Sequence, residues 1–395
     1  MGVVILGAVR TPIGSIGGGL SSIQARELAT FAIGKAIEAA GVDPKVIEYT
    51  CMGWVMQDPR ATNLAKTAAE FAGVPNTSPG TTFHENCASG GAAIHSICRR
   101  ILLGEIGIGI AGGVESMSNV PRYLFGSRLK GQLYGDMTLV DGLMGALTDP
   151  NVGEKGELMG YMTERIVQKY GLTRLEQDEV AYRSHKNALA AWEGGFFADY
   201  VVPVPIPQRK GPPVMFAKDE GPRPLTLEDF TKLKPYFRPD GTITGANSSS
   251  LNDAAAALIL ASDEVAAKLG KKPLGRVVAW NNVGVPRELM GEGAFKVIPG
   301  LMARAKLAVQ DFDFFEINEA FAAVAAGALH DVPGLKVERL NQWGSGISLG
   351  HPVGCTGVRQ VVDMVQQLHR RGGRFGMTTR CVGGGIGSGE VVEKL

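Results

Sequence analysis

Phe375-Gly376-Met377-Thr378-Thr379-Arg380-Cys381-Val382-Gly383-Gly384-Gly385 reads as a short strand running into three glycines. A helical pattern, Arg359 to His369, comes just before it. The same succession occurs much earlier in the chain. Cys87 to Leu103 begins with small residues, continues as an apolar helix and stops at Gly104; Ile106 to Ala111 then reads as a strand closed by Gly112-Gly113. A helix–strand–glycine unit met twice points to two similar α/β halves in one chain.

The surrounding segments fit that frame. Val3 to Val9 is an apolar run broken by Thr11-Pro12, as expected of a buried strand. Leu28 to Ala40 has helical periodicity and ends at Gly41, a C-cap residue. Val46 to Val55 reads as the next strand. Ala254 to Leu260 and Leu274 to Ala279 read as core elements, Ile298 to Ala308 as helix and Phe312 to Ile317 as strand. From about Asn119 to Asp240 the chain is richer in Pro, Lys, Arg and Asp. Gln177 to Trp192 looks helical there, and Pro203 to Pro213 is proline-rich, so this stretch reads as a loop-rich insertion. The expected fold class is therefore α/β, a duplicated layered fold of two similar halves with an inserted loop domain. The expected boundaries are 1–118 for the first part of the N-terminal half, 119–245 for the insertion, 246–272 for the completion of that half and 273–395 for the C-terminal half.

Composition narrows the function. A chain of 395 residues exceeds what one core usually serves. Forty Lys and Arg balance thirty-nine Asp and Glu, which gives no electrostatic case for nucleic acid or an anionic membrane as partner. No run is apolar and long enough to span a bilayer, and the N-terminus lacks the pattern of a secretory signal, so the default location is cytoplasmic. The five cysteines are odd in number and form no C-x-x-C pair. This argues against a disulfide framework or a metal site and for a reducing compartment with one or two thiols kept for chemistry.

Four local features carry chemical types. Cys87, in Asn86-Cys87-Ala88-Ser89-Gly90-Gly91, stands at the expected start of a helix, where backbone N–H groups favour a thiolate; a buried structural cysteine is the plainer alternative. His351, in Gly350-His351-Pro352-Val353-Gly354, is fixed in a turn and suits a base, although a loop histidine in water is the commoner case. Cys381 lies at a strand end before glycines whose N–H groups suit an oxyanion hole, with a tight structural turn as the alternative. Asn318, in Asn318-Glu319-Ala320-Phe321, follows a strand. Local signals favour it as a helix cap over a pocket amide.

Taken together and in order, these blocks resemble the signature blocks of the thiolase family, as do Arg10-Thr11-Pro12-Ile13-Gly14, Gly112 to Ser118 and Asn247 to Asp253. The resemblance covers essentially the whole chain. It implies an acyltransferase with no prosthetic group and no metal, whose substrates are coenzyme A and acyl-CoA thioesters. It implies Cys87 as the acyl-carrying nucleophile, His351 as its base and Cys381 as the proton carrier for the reacting carbon. Asn318 would position a water that works with His351, and the N–H groups of Cys87 and Gly383 would form an oxyanion hole. Arg223, Ser249 and Met159 would contact the coenzyme, which the insertion would cover. A homodimer or homotetramer is implied, and an accessory subunit is left open.

The match departs at the rim. Leu158 stands where acetyl-specific members often have His, Ala294 where Pro is usual, and Ser345-Gly346-Ile347-Ser348 where a Gly-Ala-Ile-Ala type of run is usual. These positions leave the acyl group open between acetoacetyl-CoA and a larger, branched or aromatic 3-oxoacyl-CoA. Two further readings compete. One is a thiolase-like subunit that binds acyl-CoA without turnover, against which the intact set of four chemical residues argues. The other is a 3-ketoacyl synthase, which pairs its cysteine with two His or with His and Asn, whereas Cys381 takes that place here.

Overall fold

The computed structural model describes residues 2–126 and 135–395. The expected insertion therefore includes eight residues, 127–134, that lie outside the described residues. Nine strands carry the architecture: β1 (Val3–Arg10), β2 (Tyr49–Gly53), β3 (Gly80–Phe83), β4 (Ile108–Ser116), β5 (Asn252–Ser262), β6 (Gly275–Gly284), β7 (Phe314–Ile317), β8 (Phe375–Val382) and β9 (Ile386–Lys394). They hydrogen-bond in the order β7-β8-β9-β6-β1-β5-β4-β2-β3, and the two-residue strand Gly14–Ser15 pairs with β5.

Read outward from the central β1–β6 pair, the two sides repeat. On one side β1, β5 and β4 are antiparallel neighbours and β2 runs parallel to β4. On the other, β6, β9 and β8 are antiparallel and β7 runs parallel to β8. The duplication expected from the helix–strand–glycine units thus covers eight of these nine strands, and β3, which pairs with β2, is the extra one.

Six helices matter for the site: α1 (Ala25–Ala40), α2 (Ser89–Leu102), α3 (Met159–Tyr170), α4 (Arg174–Glu193), α5 (Ala322–Asp331) and α6 (Thr356–Arg371). Along β1, Val3, Ile5 and Ala8 join a core with α2 and α6, while Val4, Leu6 and Val9 join a second core with α1. That division follows from the two-residue period of a strand, shifted by one residue at the bulge between Ile5 and Gly7. Phe295, Ile298 and Leu301 pack with α5 over the other face of β7, β8 and β9. The α2–α6 pair is therefore a shared middle layer. Helix α6 is buried almost all round, and some of its polar groups are paired there. Gln360 donates to the carbonyls of Glu316 and Thr379 (3.2 and 3.0 Å), and Arg359 pairs with Glu316. Among the described residues no helix is long and apolar enough to cross a membrane.

Three expectations need correction. Gly112-Gly113 do not close a strand, because β4 runs straight through them to Ser116. A Cβ on Gly113 would lie 2.5 Å from the Gly354 carbonyl oxygen, so the glycine marks close approach of another backbone and not a turn. Asn318 caps no helix: α5 starts four residues later, at Ala322. The helix expected over Ile298 to Ala308 ends at Ala305, with Lys306 left-handed at its C-cap.

Candidate active site

The two middle-layer helices bring their N-termini together. Gly90 makes this close: its missing Cβ would sit 3.0 Å from the Val358 backbone nitrogen. Each helix is preceded by a loop that holds one reactive group. Before α2, Asn86 adopts a left-handed φ of 46°. The Ser89 hydroxyl donates to the Asn86 carbonyl (2.7 Å) and accepts from the Glu85 N–H (2.9 Å), which pins Cys87 in the turn. Cys87 lies two residues ahead of the helix and not inside its first turn.

Before α6, His351 is buried. Its backbone N–H donates to Asn252 Oδ1 (2.9 Å) and its Nδ1 lies 2.7 Å from Thr356 Oγ1. The Thr356 hydroxyl donates to the Pro352 carbonyl (3.1 Å), so it accepts from Nδ1–H. That assigns the tautomer and turns the Nε2 lone pair to Cys87 Sγ, 3.2 Å away. The loop is tied to the first half by Glu115, whose carboxylate accepts from the N–H groups of Gly354 (2.8 Å), Met56 (3.1 Å) and Val55 (3.3 Å).

Charge states follow from burial. Burial pushes the Cys87 thiol up to about 11, against the N–H groups of Gly383 and Cys87 itself and the charge of Arg380. Burial, then Arg359 and Arg380, lowers His351 to about 3. The resting pair is thus a neutral thiol and a neutral imidazole. For the half-buried Cys87, desolvation thus opposes the backbone donors that a helix start was expected to supply. Cys381, at the end of β8, is buried, and burial followed by the neighbouring Cys87 raises its thiol well above the usual range.

Asn318 is fully buried. Its N–H donates to the Thr379 carbonyl (2.8 Å), Nδ2 lies 3.5 Å from His351 Nε2, and Oδ1 has no protein partner. The amide therefore faces the histidine, which is the pocket alternative to the helix cap.

A pocket of about 540 Å³ gathers Cys87, His351, Cys381, Gly383, Ser249 and Met159 within walls that include Val55, Leu147, Met290 and Phe321. Asn318 is not among the wall residues, but its amide reaches the pocket-facing His351 Nε2. Arg223 is exposed outside this pocket, and its backbone N–H donates to His185 Nδ1 (3.2 Å). Among the described residues no cluster of His, Cys, Asp or Glu is arranged to hold a metal.

Sequence reasoning passed over Thr356 and Glu115. Thr356 was detectable as a hydroxyl at the first position of the helix that follows the histidine turn. Glu115 lies within Gly112 to Ser118, but only the folded contact across the halves gives it a role. The serines that replace small residues before His351 also find partners: Ser345 Oγ donates to Glu316 (3.1 Å), and Ser348 Oγ lies 2.7 Å from Ser184 Oγ.

Residues 3–264 match the family described as thiolase, N-terminal domain, and residues 271–394 match thiolase, C-terminal domain. An acetyl-CoA acetyltransferase of Chromobacterium violaceum is 40% identical, with 100% of both chains covered. Beta-ketothiolase BktB of Cupriavidus necator is 40% identical over 100% of this chain and 99% of its own. The crystal structure of the Bacillus anthracis acetyl-CoA acetyltransferase superposes with a TM-score of 0.96 at 41% identity, covering 100% of this chain and 99% of that one. Human mitochondrial 3-ketoacyl-CoA thiolase in complex with CoA gives a TM-score of 0.95 at 34% identity, covering 100% and 98%.

Proposed function

The chain belongs to the thiolase family and is an acyltransferase, and from that premise we propose that it cleaves or forms 3-oxoacyl-CoA thioesters through an acyl-Cys87 intermediate. The observation that carries the reading is the 3.2 Å approach of His351 Nε2 to Cys87 Sγ in the pocket that also holds Cys381.

In the cleavage direction His351 Nε2 accepts the Cys87 proton as the sulfur attacks the 3-oxo carbon. The N–H groups of Gly383 and Cys87, which already face the sulfur, stabilise the oxyanion that forms. The bond between the second and third carbons then breaks, and its electron pair goes to the acetyl-CoA enolate. The Cys381 thiol protonates that carbon. A free coenzyme A thiol next gives its proton to the Cys381 thiolate and attacks acyl-Cys87; the sulfur leaves and regains its proton from His351. The reverse sequence is the condensation. A buried, high-pKa thiol suits a weakly acidic carbon, because the proton affinities are brought closer. Asn318, with Nδ2 near His351 and a free Oδ1, is suited to orient a water at the enolate oxygen.

Coenzyme A is the proposed cosubstrate. Ser249 and Met159 would meet its pantetheine arm in the pocket, and the exposed Arg223 its charged nucleotide end. The acyl range follows from the rim. Leu158 and the wholly buried Ala294 are compatible with acetoacetyl-CoA and with larger acyl groups.

Mixing the protein with 3-oxoacyl-CoA thioesters without free coenzyme A, then weighing the intact chain, tests this. An acyl mass mapped to Cys87 is the expected result. No adduct from any substrate would sink the enzyme reading in favour of a binding subunit.

A further inference from the structure

A second site, a cleft of about 630 Å³ that opens to solvent, adjoins the Cys87 pocket and shares three wall residues with it, Asn86, Ala146 and Met159. Met159 lines both and stands at their junction, with its Cε 2.6 Å from where a Cβ on Gly383 would lie. An unbranched thioether is the kind of side chain that can swing aside for a passing chain. Beyond Asn86, Cys87, Ser249 and His351 the first pocket is walled by apolar groups and Gly383, whereas the second adds His84, Thr148, Asp149, Asn151 and Arg287 to the shared Asn86.

The charges in it are arranged. Arg287 abuts the glycine loop that follows Cys381, with its Cα 3.0 Å from where a Gly385 Cβ would lie. Its Nη1 pairs with the buried Asp149 (3.1 Å). Asp149 is further engaged by the Asn151 N–H (2.9 Å) and Nδ2 (3.3 Å). The Asp149 carboxylate is thus occupied in holding Arg287. The remaining guanidinium donors, Nε and Nη2, have no partner among the described residues, and the side chain is 45% exposed. A purely apolar chain end entering this cleft would strip water from Arg287 and Asp149 and return no hydrogen bond. A carboxylate would replace that water with charge-assisted bonds in the fork geometry an arginine offers.

We infer that the cleft is the seat of the far end of the acyl group, and that Arg287 selects 3-oxoacyl-CoA substrates whose acyl chain ends in a carboxylate. The inference rests on the thiolase reading: the ketone carbon stays at Cys87, the chain passes Met159, and the carboxylate reaches Arg287. No new chemical step is needed, since the cleavage is the one already written.

The test compares coenzyme A-dependent cleavage of three 3-oxoacyl-CoA thioesters of equal chain length, ending in methyl, hydroxyl or carboxylate. Acetoacetyl-CoA, too short to pass Met159, is the control. The wild type should favour the carboxylate-ended substrate over the methyl-ended one by about tenfold or more in kcat/KM. Arg287→Gln should erase that preference and leave acetoacetyl-CoA cleavage within about twofold, which also reports that the variant folds. A wild type that prefers the methyl-ended or the hydroxyl-ended substrate overturns the inference, as does a carboxylate preference that survives in Arg287→Gln. Failure to cleave any of the four, acetoacetyl-CoA included, would instead overturn the thiolase reading beneath it.

Discussion

The two halves of the sheet repeat each other over four strands each, with β3 as an extra edge strand on the first, yet they do different chemistry. In the first half the turn before the middle-layer helix holds a sulfur, Cys87, open to the pocket. In the second half the equivalent turn holds the imidazole of His351, and the sulfur has moved to the end of a strand, Cys381. One thiol therefore has a base at 3.2 Å and backbone N–H groups facing it, while the other has burial and the first thiol as its main influences. A duplicated scaffold brings two helix N-termini to one point, and the side chains at that point then divide the labour.

The division is sharpest in the two cysteines. Cys87→Ser should lower turnover by about 10⁴-fold or more, because the hydroxyl is a poor nucleophile and a poor leaving group here. Cys381→Ser should lower carbon–carbon bond cleavage by about 10² to 10⁴-fold. It should still let acetyl-CoA label Cys87, though more slowly, since that transfer moves no proton on carbon and coenzyme A can leave as its thiolate without the Cys381 proton. Mass spectrometry of both variants with acetyl-CoA decides the matter. If Cys381→Ser also abolishes labelling, the two sulfurs act as one unit and the proposed separation fails.

The next effect lies behind the base. Thr356→Val keeps the shape but leaves His351 Nδ1–H without its acceptor at 2.7 Å. An unmet buried donor costs about 1–3 kcal/mol, so kcat/KM should fall roughly 10- to 100-fold. Thr356→Ser should restore most of it. Equal loss in both variants would mean that Thr356 serves packing alone.

A smaller effect concerns how the halves are fastened. Glu115, in the first half, accepts three N–H groups, one of them from Gly354 in the second. Burial nevertheless raises its carboxyl from 4.5 to about 7. A folded pKa above the unfolded one means stability that is whole below about 4.5 and lost as the pH rises through about 7. The linked free energy is on the order of 3 kcal/mol. Denaturant titrations at about pH 4.5 and about pH 8 should therefore show the Glu115→Gln variant gaining on the wild type by roughly that amount. A gap that does not change with pH would show that the carboxyl is not the titrating group.

Much of this was legible from residues alone, for a physical reason. Strand and helix periodicity, and the small residues around Cys87, are local, and each predicted element near the site is present within a few residues of its expected bounds. The halves could be matched because helix, strand and glycines recur in order. What could not be read was set by contact across the fold. The thiol state of Cys87 depends on burial, which no neighbour in sequence reveals. Asn318 looked like a cap because a polar residue after a strand usually is one; its use as a pocket amide depends on His351, thirty-three residues on. Glu115 is separated from its Gly354 donor by 239 residues.

Gly112-Gly113 show the same limit at the level of packing, and they give the last prediction. Glycine after an apolar run normally signals a turn, yet here it sits inside β4. The loop between His351 and α6 lies directly on it, with the Gly354 carbonyl 2.5 Å and Cys355 Cα 2.8 Å from a Cβ placed on Gly113. Both obstacles are backbone and cannot swing aside. Gly113→Ala should therefore cost about 1–3 kcal/mol of stability and, by shifting the loop, should also lower kcat. Gly34, inside α1 with open space around its Cβ position, is the counterpart. Gly34→Ala should instead stabilise the protein by about 0.5–1 kcal/mol with activity unchanged, since only helix propensity is altered. Urea midpoints and initial rates for the pair separate the two kinds of glycine. If Gly113→Ala were as harmless as Gly34→Ala, the close approach that joins the halves at the active site would not be as tight as the backbone geometry makes it.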